Sequence, residues 1–396
     1  MTNKGKSTLT RREMLKTSLI ASGTALAGFS DMQLPDFSRG PQRDTLAGGR
    51  YLGVNEFVGE GLMPMETPVG TGLDGRLYTD LAAIALDHPI TPNEKFYLRT
   101  RASELLEDGK PWVIKVTGLL KPPMEISMRD VQKMSRPAGL HLMECSGNVR
   151  YGHFGMLSVA DWAGARVSDI FDLVKIEKAA SHVLISGFDR YPIASFTSQP
   201  GASWIFTLDE LKSARAFLAT KMNGFPLSKD HGAPVRLVVP GWYGCTCIKW
   251  VDEIKLLGED ADTTSQMREF AARTMQQGVP ERVRDYRPAV IEQAAMPIRV
   301  EKWLVGRKIK YRVVGIAWGG SRPVPGLEIR FNAAEDFVPL DDFEHTANDP
   351  WSFWTHLWTP IKPGAYFIQL RVKGAAVPSR RLDAGYYVRS VEVTEI

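Results

Sequence analysis

The chain has 396 residues, 44% hydrophobic and 24% charged, which fits a soluble globular protein with room for two or three domains and excludes a disordered chain. Three cysteines in this length exclude a disulfide-built scaffold, and the absence of Cys-x-x-Cys-His excludes covalently attached c-type haem by the usual motif. The formal charge is +4, and its distribution along the chain says more than its sum.

Thr10-Arg11-Arg12-Glu13-Met14-Leu15-Lys16 is a twin-arginine pattern, followed by a short, weakly apolar run that ends in Ala25-Leu26-Ala27. An apolar segment too short to span a bilayer, closing on an A-x-A site, reads as a signal peptide over residues 1–27 for export of the folded chain. Removing those residues leaves 49 less five basic and 45 less one acidic, that is 44 of each sign. The basicity resides in the signal, so the mature chain offers no electrostatic reason to bind nucleic acid or an anionic membrane surface. No later apolar run reaches the ~18 residues of a transmembrane helix.

Residues 28–85 carry Gly59-Glu60-Gly61 and Pro68-Val69-Gly70-Thr71-Gly72 with little periodicity, and read as an N-terminal arm laid over the body. Residues 86–260 mix short apolar runs with helical patterns. The runs 112–116, 182–186 and 235–239 predict strands, and 167–174 and 208–218 predict helices. Residues 261–295 are polar and read as a connector. From 296 to 396 the alternation in 298–304, 309–314, 327–331, 365–372 and 386–393, broken by Gly and Pro, predicts an antiparallel β-sandwich. The predicted class is α+β, with a mixed α/β domain followed by the sandwich.

Chemistry concentrates at Glu144-Cys145-Ser146-Gly147-Asn148. A lone thiolate in a turn of small residues suits a soft, thiophilic metal, because the backbone can approach a bulky cofactor there; for Cys145 by itself, a buried and inert thiol is the competing reading. Downstream come His231-Gly232-Ala233-Pro234-Val235-Arg236, then Pro240-Gly241-Trp242-Tyr243-Gly244, then Ile248-Lys249-Trp250, with Trp162-Ala163-Gly164-Ala165-Arg166 upstream of them. These blocks, in this order, resemble the sulfite oxidase family of molybdopterin enzymes over roughly residues 90–396, a combination far more specific than any single block.

The resemblance implies a molybdopterin-binding domain and an immunoglobulin-like second domain that mediates homodimerisation. Cys145 would be the protein ligand of molybdenum. His231 and Arg236 would grip the pterin and its phosphate, the Arg fork through bidentate charge-assisted bonds. Lys249, with Cys247 and Ile248 beside it, falls where the family contacts the cofactor through Ser-Val-Lys, so Cys247 replaces a serine. Asp189 matches a Gly-x-Asp cofactor contact. Arg99, in Phe96-Tyr97-Leu98-Arg99-Thr100-Arg101, and Arg150 match arginines that face an anionic substrate, while Arg101 stands where a His is common.

Two features depart from the pattern or lie outside it. Cys245 and Cys247, two apart on an expected strand face, would need Cα atoms near the ~6.8 Å limit to form a disulfide, so two free thiols are expected. The position of the family's active-site tyrosine holds Phe270, and no Tyr occurs between Tyr243 and Tyr286; a shifted alignment, or Tyr243 entering the pocket, would restore the phenol. The implied activity is oxidation of sulfite or a related sulfur oxyanion in the periplasm, with electrons leaving to a separate protein, a c-type cytochrome. Alternatives are an S-oxide or N-oxide reductase with the same cofactor, and a non-catalytic periplasmic binding or assembly module.

Overall fold

A computed structural model describes residues 46, 48–102, 106–107, 109–187, 201–340, 343, 350–374 and 377–396. The signal-like segment and Asp189 lie outside these described residues. The fold is α+β and sheet-rich, and residues 43–396 form one compact unit. No helix among the described residues is long and apolar enough to cross a membrane.

The chain enters through β1 (Gly49–Asn55) and β2 (Phe57–Val58). Next come β3 (Val113–Gly118), β4 (Leu120–Lys121), β5 (Met124–Ser127), α1 (Met128–Met134), β6 (Arg136–Glu144), β7 (Leu157–Arg166), α2 (Val167–Phe171) and β8 (Lys175–Ile176). After β9 (His182–Gly187) and β10 (Ser203–Thr207) come α3 (Leu208–Ser213), β11 (Phe217–Met222), β12 (Phe225–Pro226), β13 (Arg236–Val238) and β14 (Val251–Leu257). One sheet has the order β10-β9-β14-β3-β5 and a second β12-β11-β7-β6, with β13 also on β11. Pairing is antiparallel throughout these two sheets except between β14 and β3.

The helix predicted over 208–218 stops at Ser213. Thr207 and Glu210 form a reciprocal cap at its start, Glu210 N donating to Thr207 Oγ1 (3.1 Å) and Thr207 N to Glu210 Oε2 (2.7 Å), which fixes the N-terminus. At the other end Arg215 takes φ +53, a left-handed residue that ends the helix and turns the chain into β11. Phe217 and Leu218 are fully buried there, paired on both sides with β7 and β13. Tertiary pairing overrides the helical pattern.

The stretch predicted as connector contains α4 (Ser265–Glu269), capped by Thr264 Oγ1 accepting from Met267 N (3.1 Å). Then come the sandwich strands β15 (Ala294–Val305), β16 (Lys308–Trp318), β17 (Leu327–Arg330), β18 (Val338–Pro339), β19 (Trp351–Trp358) and β20 (Gly364–Val372), then α5 (Arg380–Asp383) and β21 (Arg389–Val393). β15 and β16 form a hairpin closed by Gly306 and Arg307, with Val305 opposite Lys308; Gly306 at φ +63 supplies the positive first dihedral of a II′ turn.

The arm differs from the sequence expectation. It does not merely cover the body, because β1 pairs with β15 and β2 with β21, each at the edge of a sandwich sheet. Those sheets have the orders β1-β15-β16-β19 and β18-β17-β20-β21-β2, and the arm thereby covers edges that would otherwise expose unpaired backbone groups. Glu60, just beyond β2, is anchored by a buried ion pair with Arg389, whose Nε donates to Glu60 Oε1 (2.7 Å). The predicted strand 386–393 also starts late. Tyr386, Tyr387 and Val388 leave the sheet and reach toward the end of β6.

Candidate functional site

Beyond the C-terminal end of β6 the backbone turns sharply. Cys145 N donates to Met156 O (3.0 Å), Asn148 N to Cys145 O (2.9 Å), and Asn148 Oδ1 accepts from Met156 N (3.1 Å). This turn sets Cys145, 3% exposed, against an open cleft. Arg99, Arg236, Cys247, Ile248 and Lys249 line the same cleft, and so does Phe270. Residues separated by up to 171 positions in the chain thus converge, counted from Arg99 to Phe270.

Arg236 opens β13 and is 5% exposed. Its Nη1 donates to His231 O (3.1 Å), its Nη2 to Cys247 O (3.1 Å), and the guanidinium lies 5.6 Å from the ring centroid of Trp162. Burial lowers its pKa, and among the described residues no carboxylate pairs with it while its Nε finds no acceptor. A buried cation bonded only to neutral carbonyls and a thioether calls for an anion from outside the chain. A phosphate-bearing cofactor meets that requirement, and a buried thiol beside it meets the needs of a thiophilic metal. The residues present fit molybdopterin.

Lys249 Nζ donates to Thr100 O and to Asp230 O (3.0 Å) and lies 4.4 Å from the Trp250 ring centroid. Opposite, Arg76 approaches Arg99 and donates to its carbonyl; burial, then the Arg99 charge, lowers Arg76 to about 10. The sequence reading did not single out Arg76. The cleft concentrates positive charge against the single carboxylate of Glu269 among its lining residues, which attracts small anions.

Other predicted residues stand elsewhere. His231 does not line the cleft. Its Nδ1 meets Ser228 Oγ (2.8 Å), its Nε2 faces Phe96 O (3.3 Å), and burial, then Arg236, lowers its pKa to about 4. It is a neutral ring whose carbonyl receives Arg236. Arg101 is drawn aside to Asp230 Oδ2 (3.4 Å) and Arg150 to Val388 O, and neither lines the cleft. Tyr243 also stays out, with its ring under the Arg381 guanidinium at 4.8 Å.

Cys245 and Cys247 are free and buried, but they occupy a 3-10 turn, Gly244–Thr246, and its C-cap rather than a strand face. Burial raises both thiols, which keeps them neutral. The turn passes so near the Cys145 loop that a Cβ on Gly244 would lie 2.4 Å from Tyr97 OH and 3.2 Å from Glu144 O. Only glycine fits there. Tyr97, two residues before Arg99, lines the cleft as well; it lies in a quoted motif, yet the motif points to its arginine and not to its phenol.

The sandwich reaches this loop from behind. Trp318 Nε1 donates to Glu144 Oε2 (2.9 Å) and Tyr387 OH to Glu144 Oε1 (3.2 Å), while Tyr386 OH donates to Asn148 O. Arg381 Nη2 donates to Ser146 O (2.7 Å) and to Arg273 O (2.7 Å), tying the Cys145 turn to the turn after Phe270. Glu144 is fully buried; burial raises its pKa, with Arg381 and its two donors opposing.

A family model, oxidoreductase molybdopterin binding domain, matches residues 102–265. The Arabidopsis thaliana sulfite oxidase is 27% identical over 203 residues, covering 46% of this chain and 51% of that protein. The chain carries a molybdopterin-binding oxidoreductase domain and is similar to the sulfite oxidases. Human mitochondrial sulfite oxidase is 25% identical over 332 residues, 78% of this chain and 58% of that protein. The NADPH nitrate reductase of Fusarium oxysporum is 25% identical over 275 residues, 60% of this chain and 30% of the relative. The chain thus spans between 30% and 51% of the first curated relatives it matches. Among solved structures, the sulfane dehydrogenase SoxCD from Paracoccus pantotrophus shares the fold, with TM-score 0.60, 16% identity and 92% and 96% of the two chains covered.

Proposed function

We propose that this protein is an exported molybdenum-cofactor oxidoreductase that oxidises sulfite or a related small sulfur oxyanion by oxygen-atom transfer and passes the electrons to a separate c-type cytochrome. The observation that carries this reading is the convergence in one cleft of the Cys145 thiol and the cations Arg99, Arg236 and Lys249. When bound, the cofactor supplies the two-electron couple and the oxygen-transfer centre.

The chain's own residues do the rest. Cys145 would hold the metal by its thiolate. Arg236 and Lys249 would hold the anionic part of the pterin, Arg236 with the Nε that lacks an internal acceptor. Arg99, backed by Arg76, would draw an oxyanion in and raise its encounter rate. Three buried thiols and no haem-attachment motif support an electron acceptor outside this chain. The twin-arginine pattern at Arg11 and Arg12 supports export to the periplasm, and Arg11→Lys with Arg12→Lys should strand the precursor in the cytoplasm. The sandwich is the surface for homodimerisation in this reading.

Metal and pterin analysis of the exported protein, with steady-state reduction of cytochrome c by sulfite, tests it. Molybdenum near one per chain with sulfite-dependent turnover is expected. A molybdenum-free protein from a molybdate-replete host would favour a binding or assembly module. Phe270, buried in the cleft without a hydroxyl, favours one further reading, reduction of an S-oxide or N-oxide. Turnover of such an oxide with none of sulfite would replace the first.

A further inference from the structure

We propose that the Tyr97 hydroxyl is a hydrogen-bond donor to the oxyanion bound in the cleft. In calling that anion a substrate the proposal rests on the oxidoreductase reading; the hydrogen bond itself does not.

Tyr97 is 6% exposed and stacks on Phe96 with ring centroids 5.6 Å apart. Its backbone N donates to Ser158 Oγ (3.1 Å), which fixes the residue in place, but the hydroxyl has no hydrogen-bond partner among the described residues. The hydroxyl is not among the side-chain polar atoms sealed from solvent without a partner, so it opens on the cleft that Tyr97 lines and is uncommitted toward whatever enters there. This hydroxyl lies beside Gly244, whose missing Cβ makes room for it, and Gly244 in turn lies against the backbone carbonyl of Glu144, the residue before Cys145. Tyr97 and the candidate metal ligand Cys145 line the same cleft. Phe270, in the same cleft, has no donor to offer.

The electrostatics agree with a donor. A phenol ordinarily keeps its proton at neutral pH and can donate it in a hydrogen bond to an acceptor. The cleft's cations draw an anion to within reach, and a neutral donor at short range can then orient it. An apolar Phe at this position would pack equally well, which leaves the hydroxyl unexplained by packing.

The test is Tyr97→Phe in the full chain, with sulfate as the probe anion and titration calorimetry as the measurement, on protein prepared with and without molybdate. One hydrogen bond to a charged group predicts a sulfate affinity weaker by about tenfold or more. Tyr366→Phe serves as control, since Tyr366 OH donates to Lys362 O (2.7 Å) inside the sandwich; it should leave sulfate affinity unchanged. Thermal melting adds a readout that a structural role would move the other way. Removing a hydroxyl that bonds no protein group should leave the Tm of the anion-free Tyr97→Phe chain unchanged or higher, whereas Tyr366→Phe should lower it.

The double variant Tyr97→Phe with Phe270→Tyr asks whether a phenol elsewhere in the same cleft lining restores affinity, and recovery would support the donor role. Equal sulfate affinity in wild type and Tyr97→Phe, or no sulfate binding by wild type, overturns the proposal. The two readings fail separately. Weakened sulfate binding in a protein that never oxidises sulfite keeps the donor and removes the activity; sulfite turnover with unchanged sulfate affinity does the reverse.

Discussion

Replacing His231 by Gln should flatten the acid dependence of stability. In the folded chain His231 is neutral, lowered from 6.5 to about 4 by burial and then by Arg236, while in the unfolded chain it titrates at its ordinary value. A group whose folded pKa is depressed contributes stability that is present above the unfolded pKa and is lost as pH falls toward the folded one. With 6.5 and about 4 as the two values, the loss at pH 5 comes to about 2 kcal/mol relative to pH 7.5, since each unit is worth about 1.4 kcal/mol. Gln keeps a donor for Phe96 O and an acceptor for Ser228 but does not titrate. Urea unfolding of wild type and His231→Gln at about pH 7.5 and pH 5, with cofactor content matched, should show wild type losing about 2 kcal/mol more. Identical losses in the two proteins would mean that His231 is not the buried neutral ring described here.

Cys145→Ser should abolish turnover and molybdenum retention while secondary structure stays intact by circular dichroism, because a neutral hydroxyl is a poor ligand for a thiophilic metal. Gly244→Ala should lower both stability and cofactor content, measurable by melting and metal analysis, since its Cβ would stand 2.4 Å from Tyr97 OH. Arg389→Met leaves the buried Glu60 with only His153 Nδ1 at 3.3 Å beside its carboxylate and should cost up to about 3–5 kcal/mol in chemical denaturation. The effect should exceed that of Arg284→Met, whose ion pair with Asp260 is exposed and worth at most about 1 kcal/mol.

Much of the fold was legible because alternation survives in strands with one solvated face. In β20 the buried Tyr366, Ile368 and Leu370 alternate with more exposed neighbours such as Phe367, and its strand was predicted from the corresponding alternation in the sequence. Where both faces are covered the signal vanishes. β11, Phe217–Met222, is flanked by β7 and β13 and is nearly all buried, so it merged with the preceding helical pattern. β1 and β2 were invisible for a different reason, since their partners β15 and β21 lie more than 200 residues away.

At the cleft, residues with unusual local chemistry, Cys145 and the Arg236 block, stood out in the sequence. Tyr97 and Arg76 did not, because a tyrosine among apolar residues or an arginine in a loop has no local mark of being aimed inward. The roles of Trp318, Arg381, Tyr386 and Tyr387 were equally hidden; they depend on packing between halves of the chain that no spacing encodes.

The bonds from the sandwich to Glu144, Ser146 and Asn148 bear on how the protein ages. A protease that nicks the chain before Arg380 touches nothing in the cleft, yet it cuts the covalent tether to Arg381, Tyr386 and Tyr387. Once that segment detaches, Glu144 is left in an apolar pocket with one of its two donors gone, and the Cys145 turn loses three of its external supports. Clipping at the distal end should therefore release metal before it unfolds the molybdopterin-binding half, so that the intactness of the last seventeen residues, 380–396, becomes the practical measure of how long a purified sample stays loaded.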